Sequence, residues 1–401
     1  MQRTKQILFP IITMGLTILL IVVALELVLR LLPVNDPPPL AVELEEPTFP
    51  HFVPNRDFVY SKGWDMGINN RGRTNNYGFV NARDYDAAET GPLLAVIGDS
   101  FIEAFMVPFD QSVSGRLGRA MGNDVRVYSF AMSGAPLSQY LLWARNACEM
   151  FKPDALYISI VGNDFDESFA EYKLARGGGP LAPFTYFAGA RLDAFSYQTE
   201  RFSATPAHPT RMHELASRMG LGRLALTRYV RTNYPGLDRA LAESIGAIMP
   251  GDRDETGEGV AKTVEFVGNV EASLPERRIQ LSELAVRFFF RELAKIPCVA
   301  PETIVFSVDG MRQSIYDPAD EPAARSSYFG KMRDYFLEQA TAQGYEVVDL
   351  HEVFRKDYAD HGKRFEFRTD GHWNGYGHGV VTEELLRREP IRRLIEGPPE
   401  G

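Results

Sequence analysis

Four short stretches of the sequence contain the groups that an acyl-transfer site uses. They are GDS with Ser100, MSGAP with Gly134, VGNDF with Asn163, and TDGHWNGYGH with His372. A serine hydroxyl beside a histidine can attack a carbonyl carbon, because the imidazole removes its proton. Backbone N–H groups and a side-chain amide can then stabilise the oxyanion. A lone GDS would more simply cap a helix, so the combination of all four stretches is what indicates acyl chemistry.

Each of the first three stretches follows a segment that is typical of a buried strand, and helical patterns lie between these segments. The predicted strands are 93–97, 125–130, 155–161, 303–308 and 345–350. The predicted helices include 110–121, 137–151 and about 326–342. Buried strands alternating with helices predict an α/β fold with a parallel sheet between two helix layers. The four stretches should then lie at the same edge of that sheet, where open α/β folds bind ligands.

Together the four stretches resemble the motifs of the SGNH (GDSL-type) hydrolases, over roughly residues 90–165 and 300–385. The resemblance implies a flavodoxin-like three-layer α/β/α sandwich. It implies that Ser100 is the nucleophile, that His372 is the general base, and that Asp370 orients the imidazole. The implied oxyanion hole consists of the N–H groups of Ser100 and Gly134 and the amide of Asn163. The resemblance implies no cofactor and no metal.

The fourth stretch has the spacing Asp-x-His-Trp, in DGHW, where the family commonly has Asp-x-x-His. This spacing resembles a variant found in relatives that handle O-acetyl groups on bacterial polysaccharides. The resemblance therefore implies a serine esterase or O-acyltransferase. Its substrate would be an acylated small molecule or glycan, with O-acetyl groups of polysaccharide or cell-wall glycan as the first choice. Lipase and thioesterase activities remain alternatives.

An uncharged N-terminal stretch, residues 7–25, contains 19 residues and is long enough to cross a bilayer core of about 30 Å. Arg3 and Lys5 precede it and acidic residues follow it, so the N-terminus should stay in the cytoplasm. It is also longer than the apolar part of a cleaved signal peptide. The sequence therefore predicts a single-pass membrane protein whose catalytic domain is exported, to the periplasm or the cell exterior if the source is bacterial. Glu26 and Arg30 should pair on the same helix.

The predicted domain organisation follows from this anchor and from the composition of the segments after it. The predicted parts are an anchor at 1–32, a proline-rich linker at 33–60, an SGNH hydrolase-like domain at 61–390 with a largely helical insertion at about 165–297, and a tail at 391–401. Prolines in the linker favour extended backbone. The insertion follows a strand end, so it is either a lid over the site or a decorative subdomain.

Composition narrows the remaining function classes. Hydrophobic residues make up 45% and charged residues 24% of the chain, which is typical of a globular protein. A net charge of -10 without a dense basic cluster argues against a nucleic-acid partner. The only two cysteines, Cys148 and Cys298, have no metal or redox spacing. We expect two small buried side chains rather than a disulfide.

Three neighbours of the motif residues compete for roles. Asp99 precedes Ser100 directly, and a structural hydrogen bond is a better expectation for it than a catalytic role, because adjacent side chains seldom converge on one point. Trp373 could line an acyl pocket or anchor the core. His378 should pack or cap within the last helix, and the acidic residues next to Asn163 should form turns.

Two other classes of function compete with the serine enzyme. Asp370, His372 and His378 could form a carboxylate and two-histidine metal site with Ser100 as a helix cap, although this would leave Gly134 and Asn163 unexplained. Alternatively, the chain could be a non-catalytic, membrane-tethered glycan-binding protein that keeps the fold without the activity. Ester turnover that is lost in Ser100→Ala and His372→Ala but survives a chelator indicates the serine enzyme, whereas turnover that is sensitive to a chelator indicates the metal site.

Overall fold

The computed structural model describes residues 2–41, 50–122, 124–169, 184–188, 196–198, 221–234, 265–266, 270–271, 276–298 and 300–397. The chain divides into two compact units. The smaller consists of Met1–Pro37, Val59–Asn70 and Pro206–Glu258, and the larger of Pro38–Phe58, Arg71–Thr205 and Gly259–Gly401. Much of the predicted insertion lies outside the described residues, so its role as lid or decoration stays a prediction.

The strands are β1 (Asp57–Lys62), β2 (Ile68–Arg73), β3 (Leu93–Gly98), β4 (Arg126–Ala131), β5 (Ala155–Ile160), β6 (Tyr186–Ala188), β7 (Ser196–Gln198), β8 (Glu265–Phe266), β9 (Val270–Glu271), β10 (Ile304–Val308), β11 (Glu346–Asp349), β12 (Glu366–Phe367) and β13 (Asp370–Trp373). The α-helices are α1 (Gln2–Leu31), α2 (Ser100–Glu103), α3 (Val113–Met121), α4 (Leu137–Phe151), α5 (Ala225–Asn233), α6 (Glu276–Leu293), α7 (Arg312–Tyr316), α8 (Glu321–Ser326), α9 (Tyr328–Ala342), α10 (Leu350–His361), α11 (Gly375–Leu385) and α12 (Glu389–Glu396). Short 3-10 turns occupy Phe109–Gln111, Asp166–Ser168, Leu221–Arg223, Pro301–Thr303 and Pro318–Asp320.

The larger unit is built on a five-stranded parallel sheet with the order β11-β10-β5-β3-β4. Numbered along the chain, this is the flavodoxin-like order 2-1-3-4-5. Helices cover both faces, and every residue of β3, β4, β5 and β10 is buried. The predicted fold class is therefore confirmed. The strands that the sequence predicted are present to within one or two residues, because continuous apolar runs identify strands buried on both faces.

The strand order creates a switch point beside β3. The chain leaves β3 to form β4 on one side and then crosses to form β5 on the other side. Open α/β sheets bind ligands in the crevice at the carboxyl ends of strands at such a point. The loops after β3, β4 and β5 all leave the sheet at this edge, since the strands are parallel and pair in register.

The segment predicted as a linker makes local pairings in its described parts. Asp36 forms an isolated bridge with Val59, and Leu40 forms one with Phe52. Extended backbone rich in proline can make such single bridges without a regular ladder. The domain boundaries that the sequence predicted stay a prediction.

Cys148 and Cys298 are joined by a disulfide, so our expectation of two unpaired side chains was wrong. Cys148 lies on α4, Cys298 follows α6, and these two helices pack against each other. The pairing joins residues 150 positions apart. A contact of this range depends on tertiary packing, which the spacing of two cysteines cannot reveal.

The smaller unit contains α1, which includes a 20-residue window, Ile12–Leu31, with a mean hydropathy of 2.6. By length and composition this helix could cross a membrane. The expected pair on this helix is present, with Arg30 Nε 2.7 Å from Glu26 Oε1.

Candidate active site

Ser100, His372 and Asp370 form one line of hydrogen bonds. Ser100 is the first residue of α2, two positions after the last residue of β3, and its Oγ lies 2.8 Å from Nε2 of His372. The Asp370 carboxylate bonds to Nδ1 of the same ring, and it also accepts from the His372 backbone N–H at 2.9 Å. The structure thus brings together the three residues that the sequence predicted for nucleophilic chemistry, although 272 positions separate Ser100 from His372.

Asp99 caps the helix that begins at Ser100. Its Oδ1 accepts from the N–H of Phe101 at 2.9 Å, and its Oδ2 lies 3.2 Å from the Ser100 Oγ. Burial raises the pKa of Asp99 to about 6. These contacts match the structural hydrogen bonding that we expected for this residue, and they fix the orientation in which α2 presents Ser100.

Gly134 and Asn163 occupy the loops on the two sides of β3. Gly98 at the end of β3 pairs with Ala131 at the end of β4, so the loop containing Gly134 leaves the sheet beside Ser100. Gly134 has a φ of +76°, a conformation that favours glycine. The side-chain nitrogen of Asn163 donates to Glu167 at 3.1 Å. An amide nitrogen carries two hydrogens, so Glu167 orients this group and leaves it a second hydrogen to donate.

Glu103 links the nucleophile helix to the loop that contains Gly134. It lies one helical turn after Ser100, is fully buried, and accepts from the backbone N–H of Ser133 at 3.0 Å. It also bonds to the Ser133 hydroxyl. Burial raises the pKa of Glu103 to about 8. Sequence analysis missed this residue, although a lone carboxylate in the apolar run FIEAF signals a buried acid that needs partners.

A buried ion pair holds the strand that carries His372. Arg312 donates to both carboxylate oxygens of Asp309, at 2.8 and 2.9 Å, and to the backbone oxygen of Gly371 at 2.6 Å. The indole N–H of Trp373 donates to Asp309 at 3.0 Å. Both neighbours of His372 in the chain are therefore fixed by this pair. Sequence analysis missed it too, although Asp309 directly follows the strand β10, as Asp99 follows β3.

Aromatic packing completes the support of the imidazole. The ring of Phe101 lies 4.9 Å from that of His372 and 5.0 Å from that of Trp373. Trp373 is completely buried, which favours the core anchor over an acyl-pocket wall. His378 packs edge-on against Trp373, and burial lowers the pKa of this second histidine to about 3. Among the residues that the structure describes, no group of three or more histidine, cysteine or acidic side chains is arranged to hold a metal ion.

The acidic residues after Asn163 stabilise their own loop. Asp164 accepts from the N–H of Val161 at 2.7 Å and from the Tyr140 hydroxyl at 3.0 Å, and burial raises its pKa. Asp166 forms a buried ion pair with Arg278 of α6. The turn-forming role expected for Asp164 agrees with its bond to Val161, three residues earlier.

Neither a family model nor a curated protein matches the chain. Several solved structures are similar to it. One is a member of the lipolytic protein G-D-S-L family from Veillonella parvula, with 9% identity, a TM-score of 0.36, and coverage of 74% of this chain and 97% of that one. A lipase/acylhydrolase from Enterococcus faecalis has 12% identity, a TM-score of 0.37, and coverage of 77% and 99%. A catalytic mutant of an acetylxylan esterase from Geobacillus stearothermophilus has 11% identity, a TM-score of 0.36, and coverage of 76% and 96%.

Of these neighbours, the Veillonella parvula protein is named as a member of the lipolytic G-D-S-L family. Their identities to this chain are low, between 9% and 12%. The function proposed below therefore rests on the geometry of the site in this chain.

Proposed function

We propose that the chain is an SGNH-type serine hydrolase or acyltransferase that acts on acyl esters through a covalent acyl-enzyme. The observation that carries this proposal is the hydrogen bond of 2.8 Å between Ser100 Oγ and His372 Nε2, with Asp370 bonded to the other ring nitrogen. This arrangement activates a serine hydroxyl, because the imidazole can take its proton while the carboxylate stabilises the resulting cation.

In the first half of the reaction, the Ser100 Oγ forms a bond to the acyl carbon and its proton moves to His372 Nε2. The carbonyl oxygen becomes an oxyanion, which accepts hydrogen bonds from the N–H groups of Ser100 and Gly134 and from the amide of Asn163. The bond to the leaving oxygen then breaks, and His372 returns the proton to that oxygen. The products are an alcohol and an acyl ester on Ser100.

In the second half, a hydroxyl group attacks the acyl carbon of the ester on Ser100. His372 removes the proton of the attacking group and then delivers it to Ser100 Oγ as the acyl bond breaks. Water as the attacking group gives a carboxylic acid, whereas a sugar hydroxyl gives a new ester. Hydrolysis and transfer therefore share every protein group and differ only in the acceptor.

The substrate that we propose is an O-acetyl ester of a polysaccharide or cell-wall glycan outside the cytoplasm. The Asp-x-His-Trp spacing at Asp370 and the apolar helix α1 support this assignment. The disulfide between Cys148 and Cys298 adds support for an exported domain, since disulfides persist mainly in oxidising compartments. In this arrangement α1 anchors the chain in the membrane with its N-terminus in the cytoplasm.

Turnover of p-nitrophenyl acetate by the detergent-solubilised full chain tests the proposed chemistry. We expect turnover to be lost in Ser100→Ala and in His372→Ala, and to persist in the presence of a chelator. Ser326→Ala is the matched control, because Ser326 is exposed on α8. Turnover that survives in Ser100→Ala contradicts the proposal, and loss of turnover on chelation favours the metal-site alternative. Mass spectrometry of a glycan acceptor in the same reaction then separates transfer from hydrolysis.

A further inference from the structure

The smaller unit contains a short helix that is fixed to the end of the apolar helix α1. The Glu26 carboxylate of α1 accepts from the N–H groups of Ala225 at 3.2 Å and Leu226 at 2.9 Å. These are the first residues of α5, whose N–H groups have no partner within their own helix. Leu29, Val34 and Ala225 form a small buried cluster beside this contact. The helix α5 is therefore a fixed neighbour of α1.

The turn between β1 and β2 is bound to the same helix. The Tyr229 hydroxyl of α5 donates to the backbone oxygen of Trp64 at 2.6 Å, and Met66 packs against the small buried cluster. Arg228 of α5 forms an ion pair with Asp36 at 2.6 Å. The turn, α5 and the last turns of α1 thus form one packed assembly, in which each part contacts α5.

This assembly exposes large apolar and aromatic side chains. Trp64 is 73% exposed, Leu31 is 88% exposed and Tyr234 is 50% exposed, and Leu32 and Arg231 are exposed as well. We call these five residues the juxtamembrane surface. A groove of about 230 Å³ beside Tyr234 is lined by apolar groups of Leu226 and Val230. Soluble proteins bury most of their tryptophan, so large apolar and aromatic side chains exposed on one small assembly indicate a binding surface.

The position on α1 at which the assembly is attached indicates what covers the juxtamembrane surface. The uncharged run of α1 ends at Leu25, and the next residue, Glu26, is the one that binds α5. If α1 crosses the bilayer, the first charged residue after the run lies at the boundary between hydrocarbon and headgroups. Tryptophan and tyrosine favour that level, and arginine pairs with phosphate. In that case α5, which is bound to Glu26, would lie at the same level as the lipid headgroups.

We propose that the juxtamembrane surface inserts into the headgroup region of the leaflet where α1 leaves the membrane. This inference rests on the proposed membrane anchorage, and it adds that the anchor carries a docking platform for lipid headgroups rather than a bare helix. The occupant is phospholipid, with Trp64 and Tyr234 at the boundary between headgroups and hydrocarbon, and Arg231 at the phosphates. The contact would hold the smaller unit against the bilayer.

Fluorescence quenching of the full chain in phospholipid vesicles tests this inference. The chain has three tryptophans, and Trp143 and Trp373 are completely buried. The fluorescence of Trp64 is obtained by subtracting the fluorescence of Trp64→Phe from that of the unchanged protein. We expect phosphatidylcholine brominated near the headgroup to quench Trp64 more strongly than lipid brominated near the bilayer centre. Trp143→Phe is the matched control. In this variant the headgroup-brominated lipid should still quench the fluorescence more strongly than the lipid brominated near the bilayer centre.

Alkaline carbonate extraction of the same vesicles tests the membrane anchor separately from the lipid contact of Trp64. Protein that stays in the vesicles while neither brominated lipid quenches Trp64 overturns the lipid contact and leaves the anchor intact. Protein released by carbonate overturns the anchor and with it the inference. Trp64 that is shielded from aqueous acrylamide but not quenched by brominated lipid would have a protein neighbour, which also contradicts a lipid occupant. Ester turnover by Trp64→Phe should be unchanged, so failure here leaves the proposed chemistry standing.

Discussion

The two sides of the candidate site are held in place by different means. On the serine side, Asp99 and Glu103 lie within three positions of Ser100, and they fix it through the cap of α2 and the bond to Ser133. On the histidine side, the supporting pair of Asp309 and Arg312 comes from a part of the sequence about 60 positions earlier. The serine is positioned by the end of a strand, whereas the histidine is positioned by a buried ion pair.

This difference has a physical reason. Ser100 follows β3, which is hydrogen-bonded on both edges to β4 and β5. His372 lies on β13, a four-residue strand whose ladder partner, β12, has two residues. A short two-stranded ladder is marginally stable by itself and needs tertiary contacts. The bonds of Arg312 to Gly371 and of Asp309 to Trp373 supply them.

The largest expected effect concerns the two residues on which both sides converge. Ser100→Ala and His372→Ala should each lower kcat/KM for p-nitrophenyl acetate by a factor on the order of 10⁴ to 10⁶, because either loss removes nucleophilic catalysis. The double variant should be about as inactive as either single variant. Losses that multiply in the double variant would show that the two residues act independently.

Asp370→Asn should lower kcat by a factor on the order of 10² to 10⁴, with little change in KM, because an amide no longer stabilises the imidazolium and favours the wrong ring tautomer. The measurement is steady-state turnover over a range of ester concentrations. Asp360→Asn is the matched control, since Asp360 is an exposed acid on α10. Equal activity of the Asp370 and Asp360 variants would remove Asp370 from the mechanism.

Arg312→Met should mainly reduce stability, and the histidine side should be affected more than the serine side. The change leaves the Asp309 carboxylate buried without its partner, at a cost of about 3–5 kcal/mol in the free energy of unfolding. Denaturant unfolding of the full chain in detergent measures it. The double variant Asp309→Asn/Arg312→Met should recover part of the loss, because the Asp309 carboxylate is then no longer buried without its partner, while Glu366, 3.6 Å from Arg312, still loses its own. A double variant less stable than Arg312→Met would contradict this account of the pair.

The serine side should respond to pH through Glu103. Its pKa is raised by burial from 4.5 to about 8, so the folded state keeps a proton that the unfolded state releases. The stability that this group contributes is full below about pH 4.5 and is lost as the pH rises through about 8. Glu103→Gln should therefore reduce the decline in the free energy of unfolding between about pH 6 and about pH 8, beyond most of the range in which Asp99, with a pKa of about 6, contributes.

The exposed Glu338 provides the comparison for this prediction, and Glu338→Gln should keep the pH profile of the unchanged chain. Parallel profiles for Glu103→Gln and the unchanged chain would show that Glu103 does not hold a proton in the folded state. Glu103 would then hold Ser133 as an ionised carboxylate.

The same contrast explains how much the sequence could predict. Ser100, Gly134 and Asn163 follow buried strands, whose apolar runs are readable locally, so their convergence at one edge of the sheet was predictable. The roles of Asp309 and Arg312 were not, because they act through contacts with a strand far along the chain. The disulfide of Cys148 and Cys298 was mispredicted for the same reason, since it depends on the packing of α4 against α6.

The most direct test of the central claim is mass spectrometry of the full chain after reaction with a fluorophosphonate, which labels only serine hydroxyls activated as nucleophiles. The account predicts one phosphonyl adduct, on the peptide that contains Ser100, and strongly reduced labelling in His372→Ala. An intact protein that acquires no adduct on Ser100, or that labels Ser100 equally well without His372, would contradict it.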